Sequence, residues 1–414
     1  MAAAIRPEIP PSVKGLLQRV STRAVAYAML IIVARDLLDL QNLPSAGYMK
    51  DVLKLGPVGF ATVNLLTAIP GYFGPVYGYV RDRWSPFGMG DRGYFVLVGA
   101  ILAGDCVFIV ATPVSYWIFV WAAVIWTACV LMLYSAISGL QTVLARRYQI
   151  AGWMATGIIF AAGTIGILLP LAGGWLADRF AYRQVLLPFS LFCLGIGALG
   201  FWRPKVISAE RSELQKEERH VAKDLHRLIR HDPFRKALML SCLWSFSPIS
   251  AGILTFLVID RFGGTMATVG QNQSLAALGG LPVVLLFGLL ATRFNLRWIL
   301  FVGIAASVFQ FAPLLTAHNL SGLLFSSLVS GLLGNLVDTA LLDLKMRSCP
   351  EGLEGLSLSL IGLTMSLMGG ASIWLGAQIF QKYGIVPVVY LSGFGSLVTL
   401  PFILRLPKAV STVE

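Results

Sequence analysis

Twelve apolar runs, each about twenty residues long, limit what this chain can fold into. They lie at 22–43, 57–80, 93–112, 115–140, 150–172, 184–202, 237–259, 271–292, 297–316, 321–343, 356–379 and 385–405. A helix of about 20 apolar residues crosses a bilayer. The fold class expected is therefore an all-α polytopic membrane protein with twelve transmembrane helices. Composition agrees: 57% of the 414 residues are hydrophobic and 13% charged, where a soluble protein carries about a quarter charged residues. The first run is the least clean, because Arg35, Asp36 and Asp39 interrupt it.

The net charge of +12 is explained by topology, not by nucleic acid. With the N-terminus in the cytoplasm, 25 of the 32 Lys and Arg residues fall in the tails and the inner loops, and 6 in the outer loops. Positive residues mark cytoplasmic loops, so both termini are expected inside a cell membrane. The N-terminal MAAAIRPEIPPSVKG has no apolar core of the kind a cleaved signal peptide needs. The five cysteines, Cys106, Cys129, Cys193, Cys242 and Cys349, are scattered without a CxxC pair, so neither a disulfide nor a zinc site is expected.

One polar block, 203–236, separates six spans from six. The expected organisation is a six-helix bundle over 1–202, a cytoplasmic amphipathic linker over 203–236 and a second six-helix bundle over 237–414. Within the linker, Ser208–Arg230 reads as a helix with Leu214, Val221, Leu225 and Leu228 on one face and Pro233 as its stop. Its mixed charge favours a linker on the membrane surface over a regulatory site. The halves look like weak repeats. GILLPLAGGWLADRFAYR (166–183) and GGASIWLGAQIFQKYG (369–384) both cluster glycines before an outer loop, as in transporters built from pseudo-equivalent bundles.

Ionisable groups within spans are costly and tend to face a cavity. Arg35 and Asp39 are four apart on span 1, so on an α-helix they share a face and can pair. That pair is either purely structural or part of a binding site. Asp36 points about 100° away, given ~3.6 residues per turn. Asp105 lies ~18 Å into span 3 at 1.5 Å per residue. Asp338 lies towards the inner part of span 10, with no cation beside it in sequence, and is a candidate proton carrier. Asp343, near the end of that span, is expected to pair with Lys345 or Arg347. Asn64, Thr67, Gln141, Ser245, Ser250, Gln310 and Asn335 are polar positions within spans, and Trp126, Tyr134 and Trp244 offer ring faces. No span holds a histidine. There is no Walker A lysine motif, GxSxG, HExxH or Rossmann fingerprint. An enzyme, a cofactor and a metal site are thus not expected.

Between spans 2 and 3 the sequence reads PGYFGPVYGYVRDRWSPFGMGDRGYF (70–95). Gly71, Gly74 and Gly78 have helical spacing and form a small-residue face suited to close helix packing. The loop that follows concentrates Arg81, Asp82, Arg83, Asp91 and Arg92. In Gly78, Asp82, Arg83 and Arg92 it resembles the signature loop of the major facilitator superfamily. The longer run through Pro, Phe and Gly, together with CPEGLEGLSLSLIGLTMSLMGG (349–370), is similar to the folate–biopterin transporter family. Cys349, Pro350, Gly352, Glu354 and Gly355 carry the second likeness. Arg81 departs from the pattern, standing where that family has a small residue.

The resemblance implies proton-coupled secondary transport of folates or pterins by alternating access, by a monomer in the bilayer. A central cavity is expected where spans 1 and 4 face spans 7 and 10. Gly78, Asp82, Arg83, Asp91, Arg92 and Glu354 would gate it, with Glu354 accepting from Arg83 or Arg92. The substrate and proton candidates are Arg35, Asp36, Asp39, Asp105, Asp338, Asn64, Gln141, Trp126, Tyr134, Trp244 and Asn335. Another organic solute (a sugar, an amino acid or a siderophore-like molecule) or a non-transporting assembly role are the alternatives.

Overall fold

A computed structural model describes residues 22–148, 151–202, 221–350, 353–404 and 406. Among the described residues there is no strand, as hydrocarbon requires of a chain that satisfies its backbone by helices. Where they are described, the twelve predicted runs are helical over most of their length. Seven helices are long and apolar enough to cross a membrane: Asp91–Ala111, Tyr116–Ile137, Ala161–Arg179, Tyr182–Leu199, Leu320–Ser348, Ser357–Tyr383 and Ile385–Ile403. These are spans 3, 4, 5, 6, 10, 11 and 12. Span 8 is the unbroken helix Met266–Arg293.

The other four spans are interrupted. Span 1 runs as α-helix over Thr22–Asp36, tightens to a 3-10 turn over Leu37–Gln41, resumes over Asn42–Gly47 and widens to a π turn over Tyr48–Val52. Pro44 has no N–H, so the Leu40 carbonyl loses its helical donor. Span 2 is Pro57–Thr67 and Gly74–Arg83 joined by the 3-10 turn Ile69–Phe73, where Pro70 and Pro75 each remove a donor. Span 7 breaks between Asp232–Trp244 and Ala251–Phe256. Ser250 restarts it by accepting the Ile253 N–H at 3.2 Å, a side-chain cap of the usual kind. Span 9 stops at Ser307 and adds the short turn Pro313–Thr316.

Close approach is carried by glycines other than Gly71 and Gly74. A Cβ on Gly71 or Gly74 would meet nothing within 4 Å. The 3-10 turn at 69–73 takes the two out of helical phase, so the expected packing face does not form there. The close contacts lie elsewhere. A Cβ on Gly331 of span 10 would overlap the Ala276 carbonyl of span 8, and one on Gly270 of span 8 would overlap the Pro170 carbonyl of span 5. Spans 3 and 6 meet at Gly99 and Gly197. Small residues let backbones touch where there is no hydrophobic drive between helices.

The largest core joins Tyr27, Leu38, Phe95, Leu102, Leu133, Leu186 and Cys193, all nearly inaccessible, and includes Phe256 from span 7. Two further cores gather around Val258 with Val388, and around Leu300 with Val337 and Leu344. Residues 203–220 of the linker lie outside the described residues. Its end forms the helix Val221–Arg230, whose Leu228 is buried against Phe234 and Ile361. Pro233 does not act as the stop: the helix ends at Arg230, and Pro233 opens the next helix in its first turn, where its missing N–H costs nothing.

Candidate functional site

Span 1 places its charges differently from the expected i, i+4 pair. Arg35 Nε donates to Asp36 Oδ1 at 2.7 Å, and Arg35 Nη2 contacts the same oxygen. Asp39 instead accepts from Asn42 Nδ2 at 3.3 Å. The α-helix ends at Asp36, so four residues no longer make one turn and Asp39 swings away from Arg35. The Arg35 guanidinium also lies 5.1 Å from the centre of the Tyr134 ring of span 4, within cation–π range.

Arg35, Asp36 and Asp39 line a cavity of about 300 Å³ with Asn42, Leu43, Gly166, Pro170 and Gly173 of spans 1 and 5, and Gln273 of span 8. Asp36 is 6% exposed, and its Oδ2 is buried without a partner. Gly173 permits the geometry, because a Cβ there would sit 3.0 Å from the Leu40 carbonyl. This cavity borders spans 1, 5 and 8, where spans 1, 4, 7 and 10 were expected.

A second cavity, of about 130 Å³, lies on the other side of span 1, among spans 1, 2, 3, 4 and 6. Its polar lining includes Gln41, Asn42, Ser45, Asn64, Thr67, Asp105, Thr127 and Tyr182. Asp105 is 7% exposed and its Oδ2 has no hydrogen-bond partner. Tyr182 donates to Gln41 Oε1 at 2.8 Å. Trp126 closes one side and stacks on Phe189 with ring centres 5.9 Å apart. Of the candidates, Asp105, Asn64 and Trp126 are thus brought together.

The second-half candidates form a separate group. Trp244 Nε1 donates to Asp338 Oδ1 at 2.7 Å, joining span 7 to span 10. Asp338 is not free of cations, as its sequence context implied: Lys345, two helical turns on, interacts with it electrostatically. Asn335 Nδ2 donates back to the Gly331 carbonyl at 2.9 Å, and Gln310 Nε2 to Ser330 Oγ at 3.2 Å. Arg347 holds Asp343 at 2.9 and 3.0 Å, as expected. The side chain of Gln141 lies outside the described residues.

The two ends of the bundle differ. In loop 2–3, Arg81 Nε and Nη2 hold Asp91 Oδ1 and Oδ2 at 2.8 and 3.1 Å. The residue that departs from the family pattern therefore fastens the loop to the start of span 3. The backbone of Gly78, Asp82 and Arg83 is helical, but their side chains and that of Glu354 lie outside the described residues, as do 351–352. At the opposite end, Lys50 of span 1 pairs with Asp260 of span 7. Asp178 of span 5 accepts the backbone N–H groups of Met266 and Ala267, at 2.8 and 2.9 Å. It thus caps span 8 from another helix.

Sequence reasoning missed Asp178, Lys50, Gln41, Asn42, Thr127, Tyr182 and Gln273. A signal existed for one of them. GWLADRF (174–180) repeats GYVRDRW (78–84) class by class: glycine, aromatic, aliphatic, any residue, aspartate, arginine, aromatic.

Broken and unbroken helical spans, tied together at one end by the Lys50–Asp260 pair and the Asp178 cap, match a known class of protein. The description Major Facilitator Superfamily matches residues 141–373, more than half of the chain. The chain belongs to the major facilitator superfamily. Superfamily relatives include a folate-biopterin transporter of Synechocystis sp., 23% identical over 97% of this chain and 85% of its own length. A maltose permease of Geobacillus stearothermophilus is 25% identical over 82% of each chain. Among solved structures, a D-xylose-proton symporter superposes with a TM-score of 0.70 at 14% identity, covering 93% of this chain and 98% of its own. This superfamily chain is accordingly a multi-pass membrane transport protein for a small molecule, not an enzyme.

Proposed function

We propose that the chain is a secondary active transporter of a folate- or pterin-type solute, coupled to protons, working as a monomer by alternating access. The observation that carries this reading is the Arg35–Asp36–Asp39 set on a cavity of about 300 Å³ within the bundle. Charged groups inside a membrane protein mark solute and ion pathways. A folate has glutamate carboxylates for the Arg35 guanidinium and adjacent N–H donors for a carboxylate, in the paired manner of charge-assisted contacts. The Synechocystis relative supports this solute class.

In this reading both termini are cytoplasmic, by the charge distribution of the loops, in a cell membrane. The Lys50–Asp260 and Asp178–Met266 contacts then lie at the outer end, and the conformation is inward-facing. The halves 1–202 and 237–414 rock about the cavity, and loop 2–3, with Asp82, Arg83 and Glu354, closes the inner end in the alternate state. Asp105 and Asp338 are the carboxylates proposed to carry protons. Purified protein in liposomes should exchange labelled folic acid, and faster with an inward proton gradient. If R35A, D36A and D338A leave uptake and its pH dependence unchanged, the reading is wrong.

One observation favours a second reading, a sugar as the solute: the maltose permease likeness spans 82% of the chain. A ligand that binds the native state raises its apparent stability. Thermal stabilisation by maltose without any by folic acid would select the sugar.

A further inference from the structure

The two cavities flank the same short stretch of span 1, and Asn42 is in both linings. It sits at the joint where the 3-10 turn Leu37–Gln41 gives way to the α-turn Asn42–Gly47. Its backbone N–H reaches the Asp39 carbonyl, its own carbonyl accepts from Ser45 Oγ at 2.9 Å, and its Nδ2 donates to Asp39 Oδ1 at 3.3 Å. The residue is therefore fixed by its backbone, it borders both cavities, and its carboxamide is engaged with Asp39 on the side of the larger one.

We propose that Asn42 is the positioning residue that links the state of Asp105 in the smaller cavity to the ion set Arg35–Asp36–Asp39 in the larger one. The inference rests on the transport reading for its purpose, but not for its test. A carboxamide has a donor end and an acceptor end. A protonated Asp105 has an O–H to give, and favours the acceptor Oδ1 on its side, which leaves Nδ2 for Asp39. An ionised Asp105 has only acceptors, and draws the donor Nδ2 towards itself and off Asp39. The carboxamide thus turns over when Asp105 changes state, and Asp39 gains or loses its partner.

The surroundings of Asp105 suit such a relay. Among the described residues lining the smaller cavity there is no Lys, Arg or His. The titratable groups facing Asp105 there are Tyr182 of span 6 and Cys106 of span 3, with Cys129 of span 4 also close enough to interact. Tyr182 is already engaged with Gln41. Arg35 is taken by Asp36. An ionised Asp105 therefore has the amide and hydroxyl groups of the cavity to turn to, and Asn42 is the one that also reaches the larger cavity.

The test reads the Asp105 carboxyl by infrared difference spectroscopy on the purified, ligand-free full chain, with D105N assigning the band. Asp39→Asn, a change in the larger cavity, should move the Asp105 titration midpoint by about half a pH unit or more, a threefold change in proton affinity or larger. In the Asn42→Leu background the same change should move it much less, and Asn42→Gln, which keeps a carboxamide, should recover part of the shift. An equal shift in all three backgrounds overturns the proposal, as does an Asp105 band that does not titrate between pH 5 and 9. If Asn42→Leu does not fold, Asn42→Gln and Asn42→Ser decide between the same outcomes. Folic acid exchange in liposomes, run alongside, separates the two readings. An Asn42-dependent shift in a chain that moves no folic acid overturns the proposed solute and leaves the linkage standing.

Discussion

Asp178 caps Met266: its Oδ1 accepts the Met266 backbone N–H at 2.8 Å, while Oδ2 accepts that of Ala267 at 2.9 Å. A helix start carries unpaired N–H groups and partial positive charge, and a carboxylate satisfies both. Here the carboxylate comes from a different helix, so the cap exists only while spans 5 and 8 are together at that end. Replacing Asp178 by alanine should weaken the contact of spans 5 and 8 at this end by about 1–2 kcal/mol, a population shift of about five- to thirty-fold. Spin-label distances between the ends of spans 5 and 8 should show a longer component in D178A, and an unchanged distribution would refute the cap as a latch.

The Arg81–Asp91 pair should be a fastening of the loop 2–3 turn. Both side chains are largely covered, at 20% and 15% exposure. Removing one partner leaves a half-buried charge, so R81A and D91A should each cost about 1–3 kcal/mol. R81K should not rescue, because an ammonium lacks the two-pronged geometry that reaches both carboxylate oxygens. Thermal unfolding in detergent compares the three. A K variant as stable as the parent would show that charge alone suffices.

Gly331 and Gly104 should respond in opposite ways to alanine. At Gly331 the new methyl would overlap the Ala276 carbonyl, whereas at Gly104 it would meet nothing within 4 Å. Overpacking costs about 1–3 kcal/mol, so G331A should lower the melting temperature by several degrees. G104A should leave it unchanged or raise it, since glycine inside a helix costs about 1 kcal/mol relative to alanine. Melting curves of the two purified variants check the contrast directly.

Trp244→Phe keeps an aromatic ring between spans 7 and 10 but removes the N–H that reaches Asp338 at 2.7 Å, along with the bulk of the second fused ring. A hydrogen bond to a carboxylate contributes about 1.5–3 kcal/mol. If Asp338 carries protons, W244F should reduce proton-driven uptake about tenfold or more and displace its pH profile, with exchange at equal pH less affected. A uniform loss across pH would assign Trp244 to packing alone.

Asp232, outside the predicted span 7, is held below the usual carboxylate range by the hydrogen bond from Lys236, then by the Lys236 charge and by Arg235. A lowered folded value makes its contribution complete above the ordinary carboxylate range and lost as pH falls through that lowered value. It is a surface cluster, so the contribution is small. D232N should therefore melt slightly below the parent by the same amount from pH 6 to 8, and the gap should close as pH falls below the ordinary carboxylate range. A gap that grows between pH 6 and 8 would contradict the assignment.

What could be read from the sequence divides along a physical line. Hydropathy places the helices, because burying about twenty apolar residues is decided locally. Asp343 and Arg347 were legible because that stretch stays α-helical and four residues make one turn. Arg35 and Asp39 have the same spacing but were misread, because a 3-10 turn begins between them and Pro44, five residues beyond, is what disturbs the ladder. The Gly71–Gly74 face failed for the same cause at Pro70. Asp178, Asn42 and Gln273 were silent because their meaning depends on which helices are neighbours, although the repeat GWLADRF marked Asp178 as a counterpart of Asp82.

Span 7 breaks at 245–250, and a side chain on span 11 joins the local backbone bonds that bridge the gap, among them Ser247 N–H to the Ser245 carbonyl at 2.9 Å. Ser372 Oγ accepts the Ser247 N–H at 3.2 Å, and its own hydrogen has the Gly369 carbonyl at 2.9 Å and the Ser247 carbonyl at 3.2 Å within reach. Backbone groups freed within a membrane find partners locally or on neighbouring helices, and this hydroxyl adds a second partner for the Ser247 N–H within the broken ladder. The break is thereby pinned to span 11, whose Gly376 admits the Pro248 carbonyl at close range. The two pieces of span 7 share that fixed pivot and can bend about it independently. A displacement at the Asp260 end of span 7 then need not be felt at Trp244, and the helix works as a jointed rod whose knuckle belongs to its neighbour.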